Sequence, residues 1–337
     1  MGSKAAAPEY RPPFRQFNRA RSLAALRLVR RSDLVFSVIL AALAGLTAVV
    51  LAGRLGLSPW WALAAAALPL AVGARRVARR YRAVRRPFPS GWREWLRVHV
   101  PLYARLGDEA RRRFERDVQI VLAEAAFEAV EGVEVTESLR LGVAAGAALM
   151  LHGRPDWELP RGRTFLFYPG TFDDEYELDD VASYDGMVHP QGPVLLSAPA
   201  VEAGWSRADG YNVVLHELAH LFDFQAQGAD GVPSLMDPAS ADAWRALVRD
   251  EMRQARLGRS VLRRYASSNP VELFAVAVEQ FFERPVRLQR HHPRLFDALV
   301  ALFNLDPRTG EADEAMAEAN RPSLMARRWE EGDGGPR

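Results

Sequence analysis

The first feature of the hydrophobic pattern is a pair of uncharged runs. Leu34 to Ala52 spans 19 residues without a charge, enough to cross a hydrocarbon core of about 30 Å as a helix. After the step Gly53-Arg54, a second run extends from Leu55 to Ala74, with Trp60 and Trp61 near its start and Pro69 inside it. Indole rings favour the membrane interface, and proline is accommodated in membrane helices. The pattern therefore predicts a two-helix membrane hairpin contacting the lipid bilayer through residues 34–74.

Beyond Pro87-Phe88-Pro89-Ser90 the pattern changes to that of a packed domain. Trp92 to about Glu131 has helical spacing, with Phe114, Val118, Ile120, Val121, Ala125 and Phe127 on the apolar side. Thr136-Glu137 marks a helix start, and Leu139 to Leu151 reads as a small-residue helix suited to close packing. Thr164–Tyr168 and Pro193–Ser197 read as short strands, separated by a loop with seven acids between Asp173 and Asp185, taken as solvated surface. Tyr211 to about Gln225 forms a nearly all-apolar helix interrupted by His216, Glu217, His220 and Asp223. A polar set inside a buried helix needs a chemical reason. Further helices are expected from Pro270 to Glu283, capped by Asn269 and closed by Pro285, and from Pro293 to Phe303.

The expected fold is α+β and mostly helical, with a small β-sheet, preceded by two transmembrane helices. The expected segments are a basic N-terminus (1–32), a hairpin with its basic flank (33–86), a folded domain (87–307) and a polar, disordered tail (308–337).

Charge sharpens this division. The formal net charge of +2 conceals +14 on residues 1–86 and −12 on the remainder. Arg19, Arg21, Arg27, Arg30 and Arg31 precede the first run, and seven arginines from Arg75 to Arg86 follow the second. The positive-inside rule puts both ends in the cytoplasm, as a multi-pass protein of the inner (cytoplasmic) membrane. The basic region before the first run is too long for a cleaved signal peptide. Positive charge that brackets apolar sequence is a membrane signature rather than a nucleic-acid footprint, so no nucleic-acid partner is expected. The chain has no cysteine, which excludes disulfides and thiolate chemistry.

The candidate chemistry sits on two helices. His216-Glu217-Leu218-Ala219-His220 is an H-E-x-x-H pattern. On a helix it sets two imidazoles one turn apart on one face, where both can bind one metal, with Glu217 beside them as a base. Zn²⁺ suits nitrogen ligands in an open tetrahedral site. A third histidine six residues on, as long metzincin motifs require, is ruled out because position 226 is alanine. A downstream carboxylate must serve instead. Glu272 and Glu279 lie two turns apart on one face of their helix, and Glu283 lies one turn further. Any of them can bind metal while another, or Asp223, hydrogen-bonds a ligand histidine. Spacing alone does not order them. His291 and His292, before Pro293, read as surface residues.

Several stretches together resemble the Mlc titration factor A family of zinc metallopeptidases, bacterial cytoplasmic enzymes whose core is similar to that of anthrax lethal factor. They are Phe167-Tyr-Pro169, Gly192 to Ser197, Asn212 to His220 with Asp223, Asp230-Gly-Val-Pro233, Tyr265 to Glu272, Phe274-Ala-Val and Glu279 to Phe282. The resemblance runs from about Trp92 to Pro307 and implies a zincin-like domain. It implies that Glu272 is the third zinc ligand and that Tyr265 faces the metal, where it stabilises an oxyanion. The expected activity is zinc-dependent hydrolysis of a peptide or protein substrate at the cytoplasmic face, with Glu217 as general base. By analogy with other zincins, the strand around Val194 to Ser197 is expected to pair with extended substrate. The alternative is a membrane-tethered protein that sequesters a transcriptional or other regulator, with zinc purely structural. The membrane hairpin departs from the soluble family member, so no particular regulatory partner carries over.

Overall fold

The computed structural model describes residues 31–56, 58, 60–154, 157–159, 163–172, 184–189, 192–223, 231–233, 236 and 238–312. The acidic stretch from Asp173 to residue 183, the N-terminus before residue 31 and the tail beyond residue 312 lie outside the described residues.

Two long helices, α1 (Arg31–Leu55) and α2 (Trp60–Arg85), pair at the N-terminus. Both are long and apolar enough to cross a membrane. Their apolar windows are only 11% and 0% buried, so these helices do not serve as the core of the domain. Small residues bring them together: a Cβ at Gly73 would lie 2.4 Å from Ser37 Oγ, and one at Gly45 would touch Ala66.

α2 does not stop where its apolar run ends. It continues as one helix to Arg85 and lays its basic half against α5 (Asp108–Glu124). Arg80, only 2% exposed, donates through Nε and Nη2 to Glu124 at 2.7 and 2.8 Å, and through Nη1 to Glu158 at 2.8 Å. Arg76 meets the same two carboxylates at 2.7 and 3.0 Å. Burial alone would raise the Glu124 pKa, but these guanidinium bonds outweigh it and hold the carboxyl down at about 2.

The region expected to be one helical stretch is divided. Pro101 separates α3 (Ser90–His99) from α4 (Pro101–Arg105), and α5 gives way to a strand, β1 (Ala126–Ala129). Ala125 and Phe127 extend the apolar pattern of α5, but pairing with the sheet overrides that period. Thr136 caps α6 (Glu137–Leu151), its Oγ1 accepting from Leu139 N at 3.2 Å. The sheet then adds β2 (Thr164–Tyr168), β3 (Gly186–Val188) and β4 (Val194–Ser197). Its order is β1-β2-β4-β3, parallel except for β3, which runs antiparallel to β4. β4 is therefore interior and fully buried, as its Val-Leu-Leu run suits. Among the described residues β1 and β3 are the two edge strands, and β3 is the one that lies against α8.

The remaining helices are α7 (Ala198–Ser206), α8 (Val213–Asp223), α9 (Pro238–Arg256), α10 (Pro270–Glu283), α11 (Pro285–His291) and α12 (Pro293–Phe303). α8 runs through the centre of the domain, and the small residues of α6 allow its close approach. A Cβ on Gly146 would sit 2.8 Å from Val214 and 3.1 Å from Leu218. α10 begins and ends where its cap and prolines predict, with Asn269 Oδ1 accepting from Glu272 N at 2.9 Å. His292 is buried rather than on the surface: Nδ1 bonds Glu251 at 2.5 Å and Nε2 lies 3.0 Å from Ser260 Oγ. That pairing ties α9 to the start of α12. Residues 308–312 remain attached to the domain, with Arg308 bonded to Asp306 and stacked over Phe296.

Candidate metal centre

α8 carries His216, Glu217 and His220 on its buried length, and its start is fixed by Asn212. Asn212 Oδ1 accepts from Leu215 N at 3.2 Å, while its own amide nitrogen reaches Gly204 O and Glu283 Oε1, each at 3.2 Å. α10 crosses α8 and brings Glu272, in its first turn, opposite both imidazoles. His216 Nε2 lies 3.0 Å and His220 Nε2 3.6 Å from the Glu272 carboxylate. Tetrahedral zinc with bonds of about 2.0–2.1 Å sets its ligands about 3.3 Å apart, so the donor set fits a metal ion. One ligand atom from each of the three residues lies within 4.8 Å of the others.

Glu279, two turns along α10 and fully buried, takes a different place. Its Oε1 lies 2.8 Å from His216 Nδ1 and accepts from Arg263, and its Oε2 accepts from Asn212 N at 2.8 Å. A carboxylate only accepts, so His216 Nδ1 donates its proton to Glu279, which turns Nε2 toward the Glu272 side. Glu283 faces Gly210 N, at 2.7 Å, and Asn212. The side chain of Asp223, the other candidate to orient a histidine, lies outside the described part.

The electrostatics agree with a cation-seeking site. Burial opposes charging of His216, but Glu272 and Glu279 outweigh it and raise its pKa to about 10. A positive charge is thus drawn to the line between Nε2 and Glu272. His220 is pushed down to about 4 by burial and by His216, so its lone pair stays free of a proton at neutral pH. Glu217 is buried, and loss of hydration lifts its carboxyl to about 8.

Glu217 also contacts the sheet. A Cβ on Gly186 would fall 2.5 Å from Glu217 Oε1 and 2.7 Å from Val213 Cγ2. Only glycine lets the edge strand β3 pass this closely over α8. Beside it opens a cleft of about 200 Å³ lined by Tyr184, Asp185, Gly186, Tyr211, Val213, His216, Glu217, Arg263 and Tyr265. Tyr265 stands on a 3₁₀ turn, Arg264–Ser267, with its ring centroid 6.2 Å from that of His216. It is 48% exposed and hydrogen-bonds Glu272. Burial and Glu272 raise its hydroxyl to about 12.

Four of these neighbours had no role in the sequence pattern: Arg263, Tyr211, Asp185 and Gly186. Arg263 stacks over the Tyr211 ring at 4.3 Å, and the Tyr211 hydroxyl bonds Asp185, next to Gly186. They link the partner of His216 to the edge strand. Nothing in their spacing announces this, because the chain brings them in from three separate segments.

A helix with H-E-x-x-H, crossed by a second helix that adds a glutamate and flanked by a strand edge, defines a metallopeptidase-like class of protein. The chain belongs to the glucose-regulated metallo-peptidase M90 family, whose sequence model matches residues 74–304. The match begins where the second apolar run ends. An uncharacterized protein of Synechocystis sp. is 31% identical over 250 residues, covering 66% of this chain and 86% of that protein. Mlc titration factor A of Yersinia enterocolitica is 28% identical over 236 residues, 64% of this chain and 85% of its own. The Mlc titration factor A of Cronobacter sakazakii is 28% identical over 240 residues, 65% and 87%.

Proposed function

We propose that this protein is a membrane-anchored, zinc-dependent peptidase acting at the cytoplasmic face. The observation that carries the activity is the buried Glu217 beside two imidazoles and Glu272, directly beneath an edge strand. A purely structural metal site has no need of a base in that position. Held by His216, His220 and Glu272, zinc would supply Lewis acidity, lowering the pKa of water toward about 7 and polarising a carbonyl oxygen.

The chain's own residues do the rest. A cation held beside Glu217 would bring its carboxyl down from the raised value of the metal-free site; Glu217 then takes a proton from the attacking water and passes it to the departing amine nitrogen, and its carboxylate is near enough to β3 to meet a backbone lying there. Tyr265 donates a hydrogen bond to the carbonyl oxygen as negative charge builds on it. Glu279 holds the His216 ring in orientation. The edge of Gly186–Val188, which has no further strand beside it among the described residues, offers main-chain groups to an extended peptide in place of the interior β4.

The anchor is the α1–α2 pair through residues 34–74, with both ends cytoplasmic by their arginine content. The segments follow as 1–32, 33–86, 87–307 and 308–337.

The name shared by two relatives favours one alternative, a membrane-held protein that sequesters a regulator. One experiment separates the two. Metal content and peptide hydrolysis are measured on the full chain in detergent, with and without Glu217→Gln. The peptidase reading expects about one zinc in each protein and a loss of about 10³-fold in kcat for the variant. Zinc in both with no cleavage of any peptide library would favour sequestration.

A further inference from the structure

The clasp between α2 and the domain leaves a cavity of about 320 Å³ on its flank, open to the outside. One wall is α2, from Val72 to Arg80, and the other is the apolar surface of Ile120, Val121 and Leu159. Five guanidinium groups line it, those of Arg75, Arg76, Arg79, Arg80 and Arg163, against two carboxylates, Glu124 and Glu158. Arg76 and Arg80 are committed to those carboxylates. Arg163 is fixed on the domain side by bonds at 2.9 Å to His189 O and Gly192 O. Arg75 and Arg79, four residues apart on one helical face, are exposed at the opening. Positive charge therefore exceeds negative in a pocket whose other surface is hydrocarbon.

Its height matters as much as its charge. The apolar run ends at Ala74, and a helix rises about 1.5 Å per residue. Arg75 and Arg79 thus stand about 1.5 and 7.5 Å beyond the hydrocarbon edge, within a headgroup layer about 5–8 Å deep. An anionic headgroup at that level meets the guanidiniums, while its glycerol and first methylenes meet the apolar wall. A zwitterionic headgroup brings a cation that the excess positive charge repels. Free phosphate leaves the apolar wall uncovered.

We propose that this cavity is a binding site for one anionic phospholipid of the cytoplasmic leaflet, read by Arg75 and Arg79. The inference rests on insertion of α1 and α2 in the bilayer, and its test keeps the two apart.

Full-length protein is floated with phosphatidylcholine vesicles, then studied in detergent by native mass spectrometry with phosphatidylglycerol or phosphatidylcholine added. The wild type should retain a single phosphatidylglycerol, preferred about tenfold over phosphatidylcholine. R75Q/R79Q should float equally well, keep its metal content and lose that preference. Val72→Trp, which narrows the pocket from an exposed helix position without removing charge, should also lose the retained lipid. Equal retention by wild type and R75Q/R79Q would overturn the site, as would full displacement of the lipid by millimolar inorganic phosphate. Failure of the wild type to float would instead overturn the membrane anchor itself.

Discussion

Two clusters of buried charge hold this molecule together, and they are built on opposite principles. At the clasp, Arg76 and Arg80 meet Glu124 and Glu158, two cations against two anions, each arginine bidentate on Glu124 and giving one bond to Glu158. At the metal centre, Glu217, Glu272 and Glu279 face one arginine, Arg263, and two imidazoles. The first cluster closes its own valences. The second has two more carboxylates than guanidiniums, and without a cation the raised pKa values of His216 and Glu217 mean that protons take up the charge a divalent cation would carry. Burial of charge costs several kcal/mol per ion unless a partner offsets it, so an unbalanced cluster in a core marks a binding function and a balanced one marks a joint.

The largest expected effect breaks the second cluster at a ligand. His220→Ala should reduce zinc affinity by more than about 100-fold, since loss of an outer partner alone costs 10–100-fold. Hydrolysis should disappear with the metal, and zinc content after dialysis against a graded chelator reads it. Next, Arg80→Ala strips the balanced cluster and leaves carboxylates facing no second guanidinium. Discounted for the partial exposure of Glu124, the loss is about 2–4 kcal/mol. It should lower the thermal midpoint of the full chain while zinc content stays unchanged; a loss of zinc would deny the two clusters their independence.

Glu279→Gln is a smaller change. It keeps shape and one acceptor but weakens the hold on His216 Nδ1, so zinc should bind about 10–100-fold more weakly, as read by competition with a graded chelator. The smallest effect concerns Glu283, at the rim of the anionic side, where burial lifts the carboxyl to about 7 despite bonds from Gly210 and Asn212. Its native pKa lies above the ordinary value of 4.5. The stability it contributes is therefore complete below that value and lost as pH climbs through 7. Between pH 5 and 8 the wild type should lose on the order of 1–2 kcal/mol from this group. Glu283→Gln should flatten that part of the denaturation-versus-pH curve; an unchanged slope would rule the group out.

Much of this was legible before any fold. α10 could be bounded at both ends because Asn269, Pro270 and Pro285 act locally, through a cap and two fixed φ angles. Thr164–Tyr168 and α12 were equally plain. The elements that escaped depend on distant partners. β1 continues the apolar pattern of α5 and is a strand only because β2 lies alongside it. β3 has three residues and a glycine, with no period to detect. At the site, the two histidines and Glu217 follow from a motif on one helix. The different places of Glu272, opposite both imidazoles, and Glu279, on His216 Nδ1, depend on the crossing of α8 and α10, and spacing along either helix is blind to that. His292 was misjudged for the same reason: its neighbours Glu251 and Ser260 are 41 and 32 residues away.

The unbroken course of α2 has a mechanical consequence. A helix of 26 residues is a rod of about 39 Å, and the clasp clamps its far end to the domain. A domain on a flexible tether tumbles within nanoseconds and points its cleft in every direction. One bolted to a rod turns only as fast as the rod can turn within its bilayer. With the anchor proposed above, the cleft would keep one height and one tilt above the lipid surface, and a substrate would be selected first by whether its chain can reach that station, before any side chain is read.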